Sequence, residues 1–268
     1  MVRLVMLGTG HAMVTKCYNT CFVLEGNNGS VMVDAGGGNG ILTQVEKAGL
    51  DWAKIRALFV THAHTDHILG GIWVLRMINS LMKCGKYEGI FKVYGLAENL
   101  EYLKYSCDFL VNDVLRDDIL FIPICGKDKF KECGMEFEVI NINSTKKEQL
   151  GFRAVIRDDR EETVLVCLGD EPCHETSEAY VKDADWLLAE AFCLRNEQEV
   201  FHPYEKKHST AYDAGETAER LGVKNLLLYH TEDSDLENRA DRYAKEAGQS
   251  FRGNIFVPDD LEVIEISN

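Results

Sequence analysis

Short apolar runs that end in glycine or a polar turn recur along the whole chain. Between them lie stretches whose apolar residues return every three or four positions. In the first half, residues 2–7, 20–25, 30–34, 55–60 and 91–94 read as strands. Gly26-Asn27-Asn28-Gly29, between the second and third of these, is a hairpin signal. Helical spacing marks 41–48, stopped by Gly49, then 68–82 and 97–109. The second half repeats the style, with strands expected at 119–124, 135–142, 151–156, 163–168, 186–189, 225–229, 254–257 and 261–266. Helices are expected at 211–221, with Ser209 or Thr210 as N-cap, and at 236–248. Strands interleaved with helices in this way predict a layered α/β or α+β fold. No linker composition and no internal repeat interrupts the pattern, so residues 1–268 read as a single domain.

Composition changes the picture in three places. Lys and Arg number 29 against 44 Asp and Glu, a formal net charge of −15. An acidic body repels phosphate backbones and argues against broad, non-specific nucleic-acid binding. It leaves room for a small anionic substrate held by a bound cation. No apolar run approaches the roughly 20 residues that a membrane-spanning helix needs, and residues 1–8 are too short an apolar stretch for a signal peptide. The nine cysteines are odd in number and none are spaced C-x-x-C. They read as reduced thiols, mostly small core hydrophobes, in a cytoplasmic protein.

The chemistry is concentrated in Thr61-His62-Ala63-His64-Thr65-Asp66-His67, between an expected strand and an expected helix. His62 and His64, two apart in an extended turn, point the same way and can grip one ion. Asp66 and His67, at the start of the helix, can grip a second. Imidazole and carboxylate suit zinc, iron or manganese. The bland alternative, a solvated histidine-rich loop, does not account for four potential ligands within six residues.

Through this H-x-H-x-D-H motif the sequence resembles the metallo-β-lactamase superfamily. Asp34, in Val31-Met32-Val33-Asp34, matches the aspartate that braces the family's metal loop. Asp170, in Cys167-Leu168-Gly169-Asp170, matches the carboxylate that bridges two metals, and His230, in Leu228-Tyr229-His230, the last histidine ligand. Within the superfamily the chain is most similar to ribonuclease Z and its phosphodiesterase relatives, through Leu7-Gly8-Thr9-Gly10, Gly151-Phe152-Arg153 and His208-Ser209-Thr210. The resemblance implies a four-layer αββα sandwich with the site along one edge, a fold compatible with a homodimer. It implies two divalent ions, zinc foremost, on His62, His64, Asp66, His67, Asp170 and His230. Asp66 would orient or deprotonate the attacking water, and His208 would meet the substrate's phosphoryl or leaving group. A phosphodiester is the first expectation for substrate. A carboxylic ester, thioester or lactone is the alternative, because the same nucleophile attacks either centre.

Three departures from the family pattern bear on this. The stretch before Gly-Phe-Arg, Asn141 to Leu150, contains no histidine where the family places a metal ligand, and Asn143 or Asn141 stands there instead. His11 is a candidate replacement ligand or support, and Cys17 reads as a buried thiol. With one imidazole missing, a single-metal binding or sensor protein is the second alternative. No long tRNA-gripping arm fits between Asn143 and Asp170, where two strands and the polar turn 157–162 fill the space, so tRNA is not the expected substrate. Where the family has a His-Glu pair, this chain reads Ala189-Glu190, leaving Glu190 either to support His208 or to lie at the surface. Lys146 and Lys147 read as a solvated turn, with an anion contact at the mouth as the other reading. Cys173 and His174 are expected to open a helix near Glu175, and the loop holding His202 reads as a pocket wall.

Overall fold

A computed structural model describes residues 2–111, 114–157 and 162–267. The polar turn expected at 157–162 lies, for residues 158–161, outside the described residues. Six strands come first: β1 (Val2–Gly8), β2 (Cys21–Gly26), β3 (Gly29–Val33), β4 (Ile55–Phe59), β5 (Phe91–Gly95) and β6 (Ile119–Pro123). Then follow β7 (Lys129–Glu132), β8 (Met135–Ile142), β9 (Gln149–Arg157), β10 (Glu162–Cys167), β11 (Trp186–Glu190), β12 (Asn225–Tyr229), β13 (Asn254–Phe256) and β14 (Val263–Ser267). The helices are α1 (Gly40–Lys47), α2 (Thr65–Lys83), α3 (Ala97–Ser106), α4 (Glu178–Val181), α5 (Gln198–Phe201), α6 (Ala211–Arg220) and α7 (Leu236–Ala247).

The strands form two mixed sheets, ordered β14-β1-β2-β3-β4-β5-β6 and β13-β12-β11-β10-β9-β8-β7. Each sheet has an antiparallel part, β1 to β3 and β7 to β10, that continues into parallel neighbours, β4 to β6 and β11 to β13. Strand alternation explains how they stack. Leu4 and Met6 of β1, Phe59 of β4, and Leu150, Phe152 and Ala154 of β9 face inward into one core shared by both sheets. Val5, Leu7 and Leu58 face outward and are covered by Ile41 and Val45 of α1, Val74 and Ile78 of α2 and Leu103 of α3. On the second sheet, Ile140, Val166 and Leu187 are covered by Ala214 and Ala218 of α6 and Tyr243 of α7. The layers run helix, sheet, sheet, helix, the αββα sandwich expected from the sequence.

The hairpin at Asn27-Asn28 forms, closed by the Gly26–Gly29 pair with Gly29 at φ 130°. Four expectations shift. The helix at 97–109 is regular only to Ser106 and widens to a π turn over Cys107–Val111. β7, Lys129-Phe130-Lys131-Glu132, is too short and too charged to register as a strand and exists because it pairs with β8. The helix after His174 begins only at Glu178. The αββα resemblance implies that each half of the chain supplies one sheet, but β14 crosses back to pair antiparallel with β1, and the Trp186 indole donates to the Ile266 carbonyl at 3.1 Å.

The start of α2 is locked against the loop after β3. The Ala35 N–H donates to the His67 carbonyl at 3.0 Å and the Gly70 N–H to the Gly36 carbonyl at 2.8 Å. A Cβ on Gly70 would lie 1.8 Å from the Ala35 carbonyl oxygen, so only glycine permits this approach. Gly70→Ala is therefore expected to cost about 3 kcal/mol of stability, read as a lowered thermal midpoint. An unchanged melting curve contradicts this account of the contact.

Candidate metal centre

The candidate residues stand at the C-terminal ends of strands from both sheets, where chain reversals leave a crevice along one edge. Asp34 follows β3, Thr61 to His64 follow β4, and Asp66 and His67 open α2. Asp170 follows β10, Glu190 ends β11, and His230 follows β12. Asp34 and Asp170 occupy matching places, each where its sheet turns from antiparallel to parallel pairing. Asp34 and His230 both adopt left-handed backbone conformations, at φ 55° and 59°. Such conformations are costly for residues other than glycine and persist only where the surroundings hold them.

Hydrogen bonds set the imidazole tautomers. The Asp34 carboxylate accepts the Thr61 N–H at 2.8 Å, the Thr61 hydroxyl at 2.6 Å and His67 Nδ1–H at 2.7 Å. Because the Thr61 hydroxyl spends its proton on Asp34, it accepts from His62 Nδ1–H at 2.9 Å. The Thr20 hydroxyl likewise donates to the Gly10 carbonyl at 3.0 Å and accepts from His230 Nδ1–H at 3.3 Å. Three imidazoles therefore turn Nε2 toward the same space. Asp170 Oδ2 lies 3.5 Å from His62 Nε2, 3.9 Å from His64 Nδ1 and 3.9 Å from His230 Nε2. His67 Nε2 lies 3.3 Å from Asp66 Oδ2.

The arrangement fits a cation. His67 Nε2 and Asp170 Oδ1 are buried without hydrogen-bond partners. His62, His67 and Asp170 form one group with ligand atoms within 4.8 Å of one another, and Asp66, His67 and His230 form a second. Burial opposes charge on Asp66 and Asp170, yet neighbouring histidines hold both well below the usual carboxylate range. Two ionised carboxylates in so dry a place require positive charge. Burial also opposes charge on His67, but Asp66 and Asp34 more than offset it and raise that imidazole well above its ordinary value. Burial dominates for His62 and His230 and lowers both.

Not every expected residue joins the cluster. His11 points both ring nitrogens elsewhere: Nδ1 accepts the Met13 N–H at 3.2 Å, and Nε2 lies 3.2 Å from Glu232. Its ring packs on Phe192 at 4.6 Å, and neither ring nitrogen turns to the cluster. Asn143 is exposed and donates to Thr176, so it does not occupy the missing histidine's place. Burial pushes the Cys17 thiol up to about 11, which leaves it a protonated thiol. Glu190 is buried, not superficial: Oε1 accepts the Ser209 N–H at 2.6 Å, while Oε2 faces His208 Nδ1 across 3.5 Å. His208 offers a ring nitrogen within 4.8 Å of ligand atoms of Asp170 and His230. Its position is fixed because Thr210 caps α6 through reciprocal bonds with Asp213.

The family model described as "Anti-Pycsar protein Apyc1" matches residues 2–210. The chain belongs to this family. It is also similar to ribonuclease Z of Thermococcus sibiricus, 23% identical over 309 aligned positions that take in 99% of this chain and 97% of the relative. Among solved structures, the metallo-β-lactamase fold protein YhfI from Bacillus subtilis superposes with a TM-score of 0.77, at 16% identity and 98% coverage of each chain. A diphosphatase from the PhnP family superposes with a TM-score of 0.73 at 18% identity, covering 98% of this chain and 96% of the other. The chain has the metallo-β-lactamase fold, and groups of histidine and aspartate in it could hold divalent metal.

Thr61 and Thr20 escaped the reading of the sequence. Single hydroxyl residues carry no spacing signal, and their partners lie beyond other strands. Removing the carboxylate that orients two imidazoles, in Asp34→Asn, is expected to lower metal affinity about 10- to 100-fold, measured by competition with a chromogenic chelator. An affinity equal to wild type contradicts the orienting role. Metal uptake is also expected to displace the proton that the metal-free protein keeps on His67, so affinity rises with pH across the neutral range. Calorimetry in two buffers of different ionisation heat reads this directly, and identical heats count against it.

Proposed function

We infer that this protein is a metal-dependent phosphodiesterase. His62, His64 and Asp170 are assigned to one divalent ion, and Asp66, His67, Asp170 and His230 to a second. The observation that carries the reading is the convergence of His62, His64 and His230 nitrogens on one buried Asp170 oxygen. Zinc is the first assignment, with iron and manganese also suited to this donor set. When bound, the ions supply Lewis acidity and lower the pKa of water toward neutrality.

The chain's own residues do the rest. Asp66 orients the attacking water and receives its proton. A new bond forms between phosphorus and the water oxygen, and the bond to the leaving-group oxygen breaks. His208, held at the edge of the site, carries the proton that the departing oxygen takes, with Glu190 behind its other nitrogen. The similarity to ribonuclease Z and to a diphosphatase favours phosphorus over the carbonyl carbon of an ester or lactone.

A small anionic phosphodiester fits better than tRNA. β9 and β10 pair from Phe152–Cys167 to Arg157–Glu162, so strands fill the span between segment 141–150 and Asp170. The ribonuclease Z alignment runs over 309 positions against 268 residues here, so that relative carries insertions which this chain lacks. The net charge of −15 also opposes a polyanion.

One observation favours a second reading: no imidazole from segment 141–150 joins His62, His64 and Asp170. A single firmly held ion on Asp66, His67, Asp170 and His230 would suit a binding or sensing role. Elemental analysis separates the readings, two ions per chain supporting hydrolysis. For turnover, Asp66→Ala and His208→Ala are each expected to lower hydrolysis of bis(p-nitrophenyl) phosphate by about 100-fold or more. Wild-type rates in both variants would sink the mechanism.

A further inference from the structure

We propose that Lys146 is a substrate-binding residue whose ammonium grips a non-bridging oxygen of the phosphoryl group. The inference rests on the phosphodiesterase reading above and adds to it a specific contact from the segment that has no histidine.

That segment is built, not slack. The Ser144 hydroxyl oxygen accepts the backbone N–H groups of Lys146 at 3.1 Å and Lys147 at 3.4 Å. The same hydroxyl donates to the carboxylate of Glu171, which is 2% exposed and follows Asp170 directly. Lys147 is tied on the other side to Glu98 of α3 at 3.1 Å. Between these anchors Lys146 extends its Nζ to 3.3 Å from His208 Nε2. An ammonium can only donate, so Nε2 accepts and the His208 N–H is on Nδ1, facing Glu190. Among the described residues no carboxylate pairs with Lys146.

A second lysine borders the same spot. Lys206 Nζ stands 4.7 Å over the ring of Phe192, which stacks on His208 at 4.8 Å and 8°. Lys146 thus stands against His208, and Lys206 against the ring stacked on it, in a chain of net charge −15. An imidazole nitrogen is a modest partner for an ammonium, whereas a phosphoryl oxygen offers a charge-assisted hydrogen bond. Lysine, a compact point charge on a flexible stem, suits that exchange. When substrate arrives, Lys146 leaves His208 for the phosphoryl oxygen. His208 Nε2 is then free to take a proton from solvent and pass it to the leaving-group oxygen, while its Nδ1–H still faces Glu190.

The test compares metal-loaded wild type with Lys146→Met, Lys146→Arg and Lys147→Met. Two readouts are taken: inorganic phosphate binding by calorimetry, and KM and kcat on bis(p-nitrophenyl) phosphate. In Lys146→Met the phosphate Kd and the KM are expected to rise about 10- to 100-fold. Metal content and melting temperature should match wild type. Lys146→Arg should recover most of the binding, and Lys147→Met, which loses only the exposed ion pair to Glu98, should weaken it far less than Lys146→Met does. Phosphate binding and KM unchanged in Lys146→Met would overturn the assignment. So would loss of metal from that variant, since Lys146 would then serve the centre's structure. Phosphate binding that depends on Lys146 in a protein without diesterase activity would sink the phosphodiesterase reading while leaving this contact standing.

Discussion

The Asp170 carboxylate, buried where histidine nitrogens from both sheets point at it, is the interaction on which the site depends. A charge so deeply buried is tolerable only beside opposite charge. In the metal-free chain His67 is the imidazole held well above its ordinary value, and a divalent cation would supply positive charge next to Asp170 more directly. The fold has to bring β4, β10 and β12 to one edge with their C-terminal ends aligned, because none of these side chains lies near all the others in sequence. The shared inner core fixes how the sheets face each other, and it therefore fixes these distances.

Rigidity is concentrated around the ligands. Asp34 ties together Thr61, His67 and, through the Thr61 hydroxyl, His62. Left-handed backbone at Asp34 and His230, and the close approach of Gly70 to Ala35, are conformations the chain adopts only under constraint. Their clustering here follows from the need to aim short side chains inward from strand ends. A carboxylate behind an imidazole also fixes the ring's orientation, so that Nε2 is the nitrogen offered to a cation once its proton leaves.

The site is asymmetric. Asp66, His67 and His230 form one group of potential ligands and His62, His67 and Asp170 another, and segment 141–150 holds no histidine to add to either. That segment presents an ammonium instead, anchored through Ser144 to the residue after Asp170.

Much of this was legible from the residues alone. Strand and helix periodicity located most elements, because apolar alternation reports which faces are buried whatever the partner is. The histidine cluster at 62–67 declared its chemistry because its ligands are adjacent along the chain. Partners across strands left no such trace. The pairing of β14 with β1, the existence of β7, the Thr61 and Thr20 hydroxyl bonds, the burial of Glu190 and the reach of Lys146 to His208 all join positions far apart in the chain. Local sequence determined what each residue can do. Which residues meet was decided by tertiary structure, since hydrogen-bond geometry and burial depend on distances that only the packed sheets set.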